Sequence, residues 1–347
     1  MRLFNIFFVS LCALLIVSCG TPTIDTPAVY VCGDIHNVET NKDLACYWKN
    51  GVRTDLGEAV HNSQARGIFV NNSDVYAVGY YSDNGHTIAC FWKNGRKTDM
   101  EENTRDSRAN ALYHDGTHLY VSGLRASNGK NIAVLWVDGE AVDLAPSNSE
   151  STVNALAVSN NFVYAAGVVN SSPVYFKYDL AARTVAQVIL SSDPGELAGI
   201  VVNGLDVYAS GFVADLASGD LTAAYWKNGS VTTLSRIPDV SVGFGMAVDG
   251  ADVYVTGMVS DYKDQDPKPV YWKNGVATSL STPQTNDRGP GVQVAVVDGT
   301  VYIAGLYLDA MNANPTYRIP AYWKDGVRTD LMPAGSFGSA VGMFVKR

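Results

Sequence analysis

Charge is scarce in this chain. Asp, Glu, Lys and Arg make up 17% of its 347 residues, and the acids outnumber the bases to leave a net charge of −9. A chain without a basic stripe cannot gather the phosphate contacts on which nucleic-acid binding rests, which speaks against nucleic acid as a partner. Cysteine is sparse as well. There are five, none in a C-x-x-C pair, which removes the usual zinc ribbons and thioredoxin-like motifs. No G-x-S-x-G, phosphate-binding glycine loop or H-E-x-x-H stretch occurs, and no cofactor is implied. No stretch has the period of a long amphipathic helix. The longest apolar run, Leu3–Val17, is shorter than the ~20 residues of a membrane-spanning helix.

That run follows Arg2 and ends at Ile16-Val17-Ser18-Cys19. A positive start and an apolar middle make it a targeting segment. Its end resembles the lipobox of bacterial lipoproteins. The resemblance implies that residues 1–18 are a signal peptide, that Cys19 carries the lipid, and that the mature chain is held on a membrane of the cell envelope. Gly20 in place of Asp after the cysteine implies the outer membrane. A plain secretory signal cut nearby is the competing reading. Residues 19–27 read as lipidated cysteine and tether, with Pro22 and Pro27 blocking regular structure. Cys32, Cys46 and Cys90 lie in strand-like apolar runs and read as small buried hydrophobes. A disulfide between Cys32 and Cys46 stays open, since they fall on consecutive strands.

What the chain has in abundance is repetition. ACYWKNGVRTDL at Ala45–Leu56 returns at Ala89–Met100, Ala133–Leu144, Ala223–Leu234, Pro269–Leu280 and Pro320–Leu331. A V-Y-x-x-G motif precedes each copy. Its tyrosines, Tyr30, Tyr76, Tyr120, Tyr164, Tyr208, Tyr254 and Tyr302, are 46, 44, 44, 44, 46 and 48 residues apart. Each unit divides into four short runs rich in Val, Ile, Tyr, Trp and Thr, read as strands A to D. V-Y-x-x-G is strand B, and Y-W-K-N ends strand C. Asn-Gly or Asp-Gly joins C to D, the residue pair that type I′ hairpin turns require. Strand A is apolar on both faces, with Gly67, Ala111, Ala155, Gly199, Gly245 and Gly342 at one position and Val294 as the seventh. Small residues there suit strands converging on a crowded axis. In the fourth unit Phe176 replaces the tryptophan and the Asn-Gly turn is lost, which predicts a longer C–D hairpin.

Seven four-stranded units of this length predict an all-β fold, a seven-bladed β-propeller over residues 28–347. The chain enters at strand B and ends on Ala340–Val345, an unpartnered strand A. The C-terminal strand is therefore expected to complete the first blade beside Val29–Gly33. The architecture resembles kelch and WD-repeat propellers, with neither signature complete. The V-Y-x-x-G and Y-W-K-N-G units resemble repeats of bacterial envelope proteins of unassigned function.

The loops divide the two faces of such a ring. Strand A to strand B and strand C to strand D keep fixed spacings. The distance from the strand-B glycine to the strand-C aromatic runs from 9 (Gly167–Phe176) to 18 (Gly305–Trp323). The variable B–C and D–A connections share one face, where binding is expected. On it Asp34, His36, Glu58, His61, Arg66 and His86 cluster along the chain, a set that admits a metal or acid–base site. No stoichiometric metal is expected. Asp261, Asp264 and Asp266 form an acidic run without EF-hand spacing. His114 and His118 bracket a turn on the other face. Arg66, Asn110, Asn154 and Gln293 share one position near the start of strand A, with Phe244 at the same position in another blade. They line the channel mouth in one reading and cap strand ends in another. The expected protein is a monomeric, non-catalytic binding lipoprotein taking a glycan, peptide or protein ligand on this face. A propeller enzyme acting on glycans and a structural subunit of an envelope complex are the alternatives.

Overall fold

The computed structural model describes residues 26–234, 240–260, 267–280, 288–308 and 318–347. The signal peptide, Cys19, most of the tether and the acidic run Asp261, Asp264 and Asp266 lie outside these residues. The described residues form 28 strands in seven four-stranded antiparallel sheets, without a helix. Six blades are continuous in sequence, in the order A-B-C-D from the axis outward: 63–99, 107–143, 151–189, 195–233, 240–279 and 291–330. The first blade is composite. Its strand A is Gly338–Lys346, and its strands B, C and D are Ala28–Asn37, Lys42–Lys49 and Val52–Asp55. Val31 pairs with Met343 and Tyr30 with Phe344, so the terminal strands close the ring as expected. Each strand A packs on the next, and the seventh returns to the first.

Burial explains the repeat. The six repeat tryptophans and Phe176 are at most 1% exposed. Each fills the space between neighbouring blades, at ~150–250 Å² of buried surface. At ~25 cal/mol per Å² that is roughly 4–6 kcal/mol gross apiece. The K-N-G turn is a type I′ hairpin with a second task. Asn94 has φ 51° and Gly95 φ 84°. Asn94 Oδ1 accepts the Val75 amide at 2.9 Å, and its Nδ2 donates to Asp74. Lys93 pairs with Asp74 at 2.9 Å and lies over the Tyr76 ring. The same set recurs at Lys227, Asn228 and Asp206, and at Lys273, Asn274 and Asp252. In blade four Asp179 instead caps Ala181 and Ala182 in a longer turn.

A serine opening strand A ties consecutive blades. The Oγ atoms of Ser63, Ser107, Ser151 and Ser241 accept the strand-C amides of Ala45, Ala89, Ala133 and Ala223 at 2.9–3.0 Å. The small position of strand A is small because the next inner strand crowds it. A Cβ on Gly67 would stand 3.3 Å from the Cα of Ala111.

Cys32, Cys46 and Cys90 are free and buried. Cys32 packs toward blade two and Cys46 toward blade seven, so they face opposite sides of their sheet. Strand alternation, not distance along the chain, keeps them unbonded.

Candidate functional site

Every strand A carries a β-bulge against strand B, and always in the same place. The register shifts between Ala65 and Gly67, Ala109 and Ala111, and Val153 and Ala155, and equivalently in the other blades. A bulge leaves one residue out of the ladder and turns the strand there. The residues so displaced include Arg66, Asn110, Asn154, Ala198, Phe244 and Val341, and together they line a cavity of about 350 Å³ on the ring axis. The bulge lies near the start of each inner strand, on the side of the D–A and B–C connections.

Blade seven departs from the expected alignment. In blade seven the bulged residue is Val292, and Gln293 pairs with Ala304. Gln293 therefore stands where other blades have Gly67 or Ala111, and Val294 matches Ile68. Gln293 lines the cavity from that neighbouring position.

The polar groups of the cavity divide into structural and free. Asn110 Nδ2 donates to the Val153 carbonyl at 2.7 Å. Asn154 Nδ2 donates to the Leu197 carbonyl at 2.9 Å and to Glu196 Oε1 at 2.6 Å. Each asparagine thus bridges its own bulge to the next blade. Ser210 and Thr256 do the same from strand B, reaching the Phe244 and Val292 carbonyls. Both expected roles, channel lining and capping, fall on the same asparagines.

Arg66 differs. Among the described residues its one hydrogen bond runs from Nη1 to Gln64 Oε1 at 3.0 Å, and its Nε is buried without a partner. Burial pulls the guanidinium below its ordinary pKa, with neighbouring Arg108 acting in the same direction. Gln64 is itself held. Its Nε2 donates to Asp34 Oδ1 at 2.7 Å, and Tyr80 donates to its Oε1. Ser339 also donates to Asp34. Desolvation raises the pKa of this buried carboxyl. Asp34 therefore supports the site from behind and does not line it.

The three histidines are not brought together. His36 pairs with Asp43 at 2.8 Å and meets the Phe337 ring edge-on. His61 lies against the Tyr81 ring, and His86 lies 3.6 Å from Asp106. Among the described residues no three His, Cys, Asp or Glu side chains converge as a metal site. Their closeness along the chain does not survive the blade geometry, which spreads the connections outward from the axis.

Sequence reasoning missed Glu196 and Phe212. They face each other across the A–B ladder of blade five and both line the cavity. The equivalent residues elsewhere are Gln64, Arg108 and Thr152, so no repeated identity marks the position.

On the opposite face a cleft of about 720 Å³ lies between blades three and four. In it His118 pairs with Asp138 at 2.6 Å and Tyr120 donates to Asp115 at 3.0 Å, and Glu140 and Arg183 also line it. The axial cavity is the stronger candidate because residues of all seven inner strands line it and the Arg66 Nε there is buried without a partner. No known family model matches this chain, and no curated protein matches it either.

Proposed function

We propose that this protein is a non-catalytic ligand-binding propeller, held on the cell envelope by a lipid on Cys19. It takes a small ligand into the axial cavity from the face of the variable loops. The observation that carries this reading is the bulge repeated on all seven inner strands, which aims side chains at one axial space. A volume of about 350 Å³ is at the low end of the ~300–1,000 Å³ range of small-molecule sites. Binding is favoured over glycoside cleavage because that chemistry needs two carboxylates flanking the bond. Among the described residues Glu196 is the one carboxylate lining the cavity, and Asp34 is withdrawn behind Gln64.

Two experiments test the two halves. Palmitate should label the wild type and not Cys19→Ala; equal labelling in both removes the lipid anchor from the account. For the cavity, Ala198→Trp fills the axis from a bulged position outside the blade ladder. Native mass spectrometry should find small-molecule adducts on the wild type and none on Ala198→Trp, at unchanged melting temperature. The same adducts on both proteins would move the binding site elsewhere.

A further inference from the structure

The charges and acceptors of the axial cavity are distributed unevenly around the ring, and the distribution describes a ligand. Blade two contributes Arg66, half-buried, whose Nε is buried without a partner among the described residues. A desolvated guanidinium nitrogen without an acceptor is costly, and the forked donors of arginine match a carboxylate or phosphate. Blades three to five contribute acceptors. Asn110 and Asn154 have turned their amide nitrogens onto the carbonyls of Val153 and Leu197. Asn154 has both amide protons committed and is left with its Oδ1 to meet a ligand, and Asn110 keeps its Oδ1 and one amide proton. Glu196 adds a carboxylate to the same arc. In a ring of seven, blades two and five are as far apart as any two blades can be. Arg66 and Glu196 therefore face the cavity from opposite sides. Phe212 and Phe244 supply an apolar wall.

We infer that the axial cavity binds a small zwitterion, an amino acid or short peptide, with its carboxylate on Arg66, its ammonium group on Glu196 and an apolar side chain against Phe212 and Phe244. This rests on the proposed function and specifies the ligand class of that same site. The alternatives fit the charges less well. A neutral sugar leaves Arg66 without an anionic partner. A simple anion such as phosphate satisfies Arg66 but shares the cavity with Glu196. A cation alone reverses the fault. A zwitterion gives each of the two charges an opposite partner. The cavity of about 350 Å³ holds an amino acid or a dipeptide and nothing much larger.

Calorimetric titration of the purified protein tests this. The probes are L-leucine, L-phenylalanine and leucyl-leucine. Phenethylamine lacks the carboxylate, 3-phenylpropionate lacks the ammonium group, and phosphate and N-acetylglucosamine represent the competing classes. At least one zwitterion should bind, and leucine against leucyl-leucine separates a free amino acid from a peptide as the source. Removing either charged group of the ligand should weaken binding at least ~10-fold. Arg66→Met should weaken the zwitterion roughly 30- to 1,000-fold, as expected for deleting one side of a desolvated charge pair. Glu196→Gln keeps the acceptor for Asn154 and should abolish the preference for the zwitterion over 3-phenylpropionate. It carries the test if Arg66→Met does not fold. Binding of phosphate or N-acetylglucosamine that is lost in Ala198→Trp, with no zwitterion bound, overturns the inference and leaves the binding function standing. Silence from every probe at millimolar concentration overturns it as well. The adduct comparison with Ala198→Trp then judges the binding function separately.

Discussion

Deleting residues 338–347 should leave a protein that aggregates or has no cooperative thermal transition, while deleting only Lys346 and Arg347 should shift the melting temperature little. The segment is the inner strand of blade one and pairs with strand B from Ala28↔Lys346 to Ile35↔Gly338. Its loss uncovers Val31, Cys32 and Ile35, each at most 6% exposed, and removes the buried Ala340 and Met343. It also opens the contacts that the first inner strand makes with the inner strands of blades two and seven. A buried side chain of this kind contributes roughly 1.5–3 kcal/mol as an upper range. Losing several at once approaches the ~5–15 kcal/mol that is the whole stability of most domains. Unpaired sheet edges at the gap would then pair between molecules. Circular dichroism melts and size-exclusion profiles of the two truncations check this. A long truncation that melts like the wild type would contradict ring closure by this strand.

The second large effect is expected from one methyl group. Gly123→Ala, at the glycine of V-Y-x-x-G in blade three, should destabilise by at least ~3 kcal/mol, beyond ordinary overpacking. The reason is the bulge. Where strand A turns its extra residue to the axis, the carbonyl two residues earlier is pressed onto strand B. A Cβ on Gly123 would stand 1.9 Å from the Arg108 carbonyl oxygen. The distance is 1.9 Å at Gly79 and 2.0 Å at Gly167 and Gly211, always to a backbone oxygen of the inner strand. Backbone cannot rotate away as a side chain can, so the bulge itself must shift. Gly139→Ala is the control, since it lies in an exposed turn with nothing near its Cβ position but has φ 88°. It should cost only the ~1 kcal/mol of a strained backbone. Denaturant unfolding of both variants tests the ranking. A Gly123→Ala protein as stable as the control would mean that the bulge is not held by that contact.

The glycine also shows what kind of information the sequence carries plainly and what it hides. Strand count, the Asn-Gly hairpins and the closing strand were legible, because each recurs with the period of the blade and rests on local chemistry. Asn94 and Gly95 need positive φ in any blade, so the pair marks the turn wherever it occurs. The bulge was not legible. It adds one residue to a strand of Val, Ala and Gly, and V-Q-V-A-V reads the same with or without it. Gln293 was placed one position off for that reason. The site itself was half legible. Arg66, Asn110, Asn154 and Phe244 drew notice because they interrupt an apolar strand at one repeat position. Glu196 and Phe212 did not, because a site formed across a ring joins residues from different units. The histidines misled for the opposite reason, being near in sequence and apart in space.

Arg66 serves a ligand and not the fold if the zwitterion site is as proposed. Thermal melting of unliganded Arg66→Met against the unliganded wild type tests this most directly. The substitution keeps an apolar stem of similar length and removes a half-buried charge that has no ion-pair partner among the described residues. A desolvated charge without an acidic partner costs free energy, so an apolar side chain in its place should not weaken the fold. Gln64 keeps its bonds to Asp34 and Tyr80 in the variant's surroundings. The predicted result is a melting temperature equal to or above that of the wild type. A fall of several degrees would show that the guanidinium holds the inner strands together, and would contradict its assignment as the ligand's anchor.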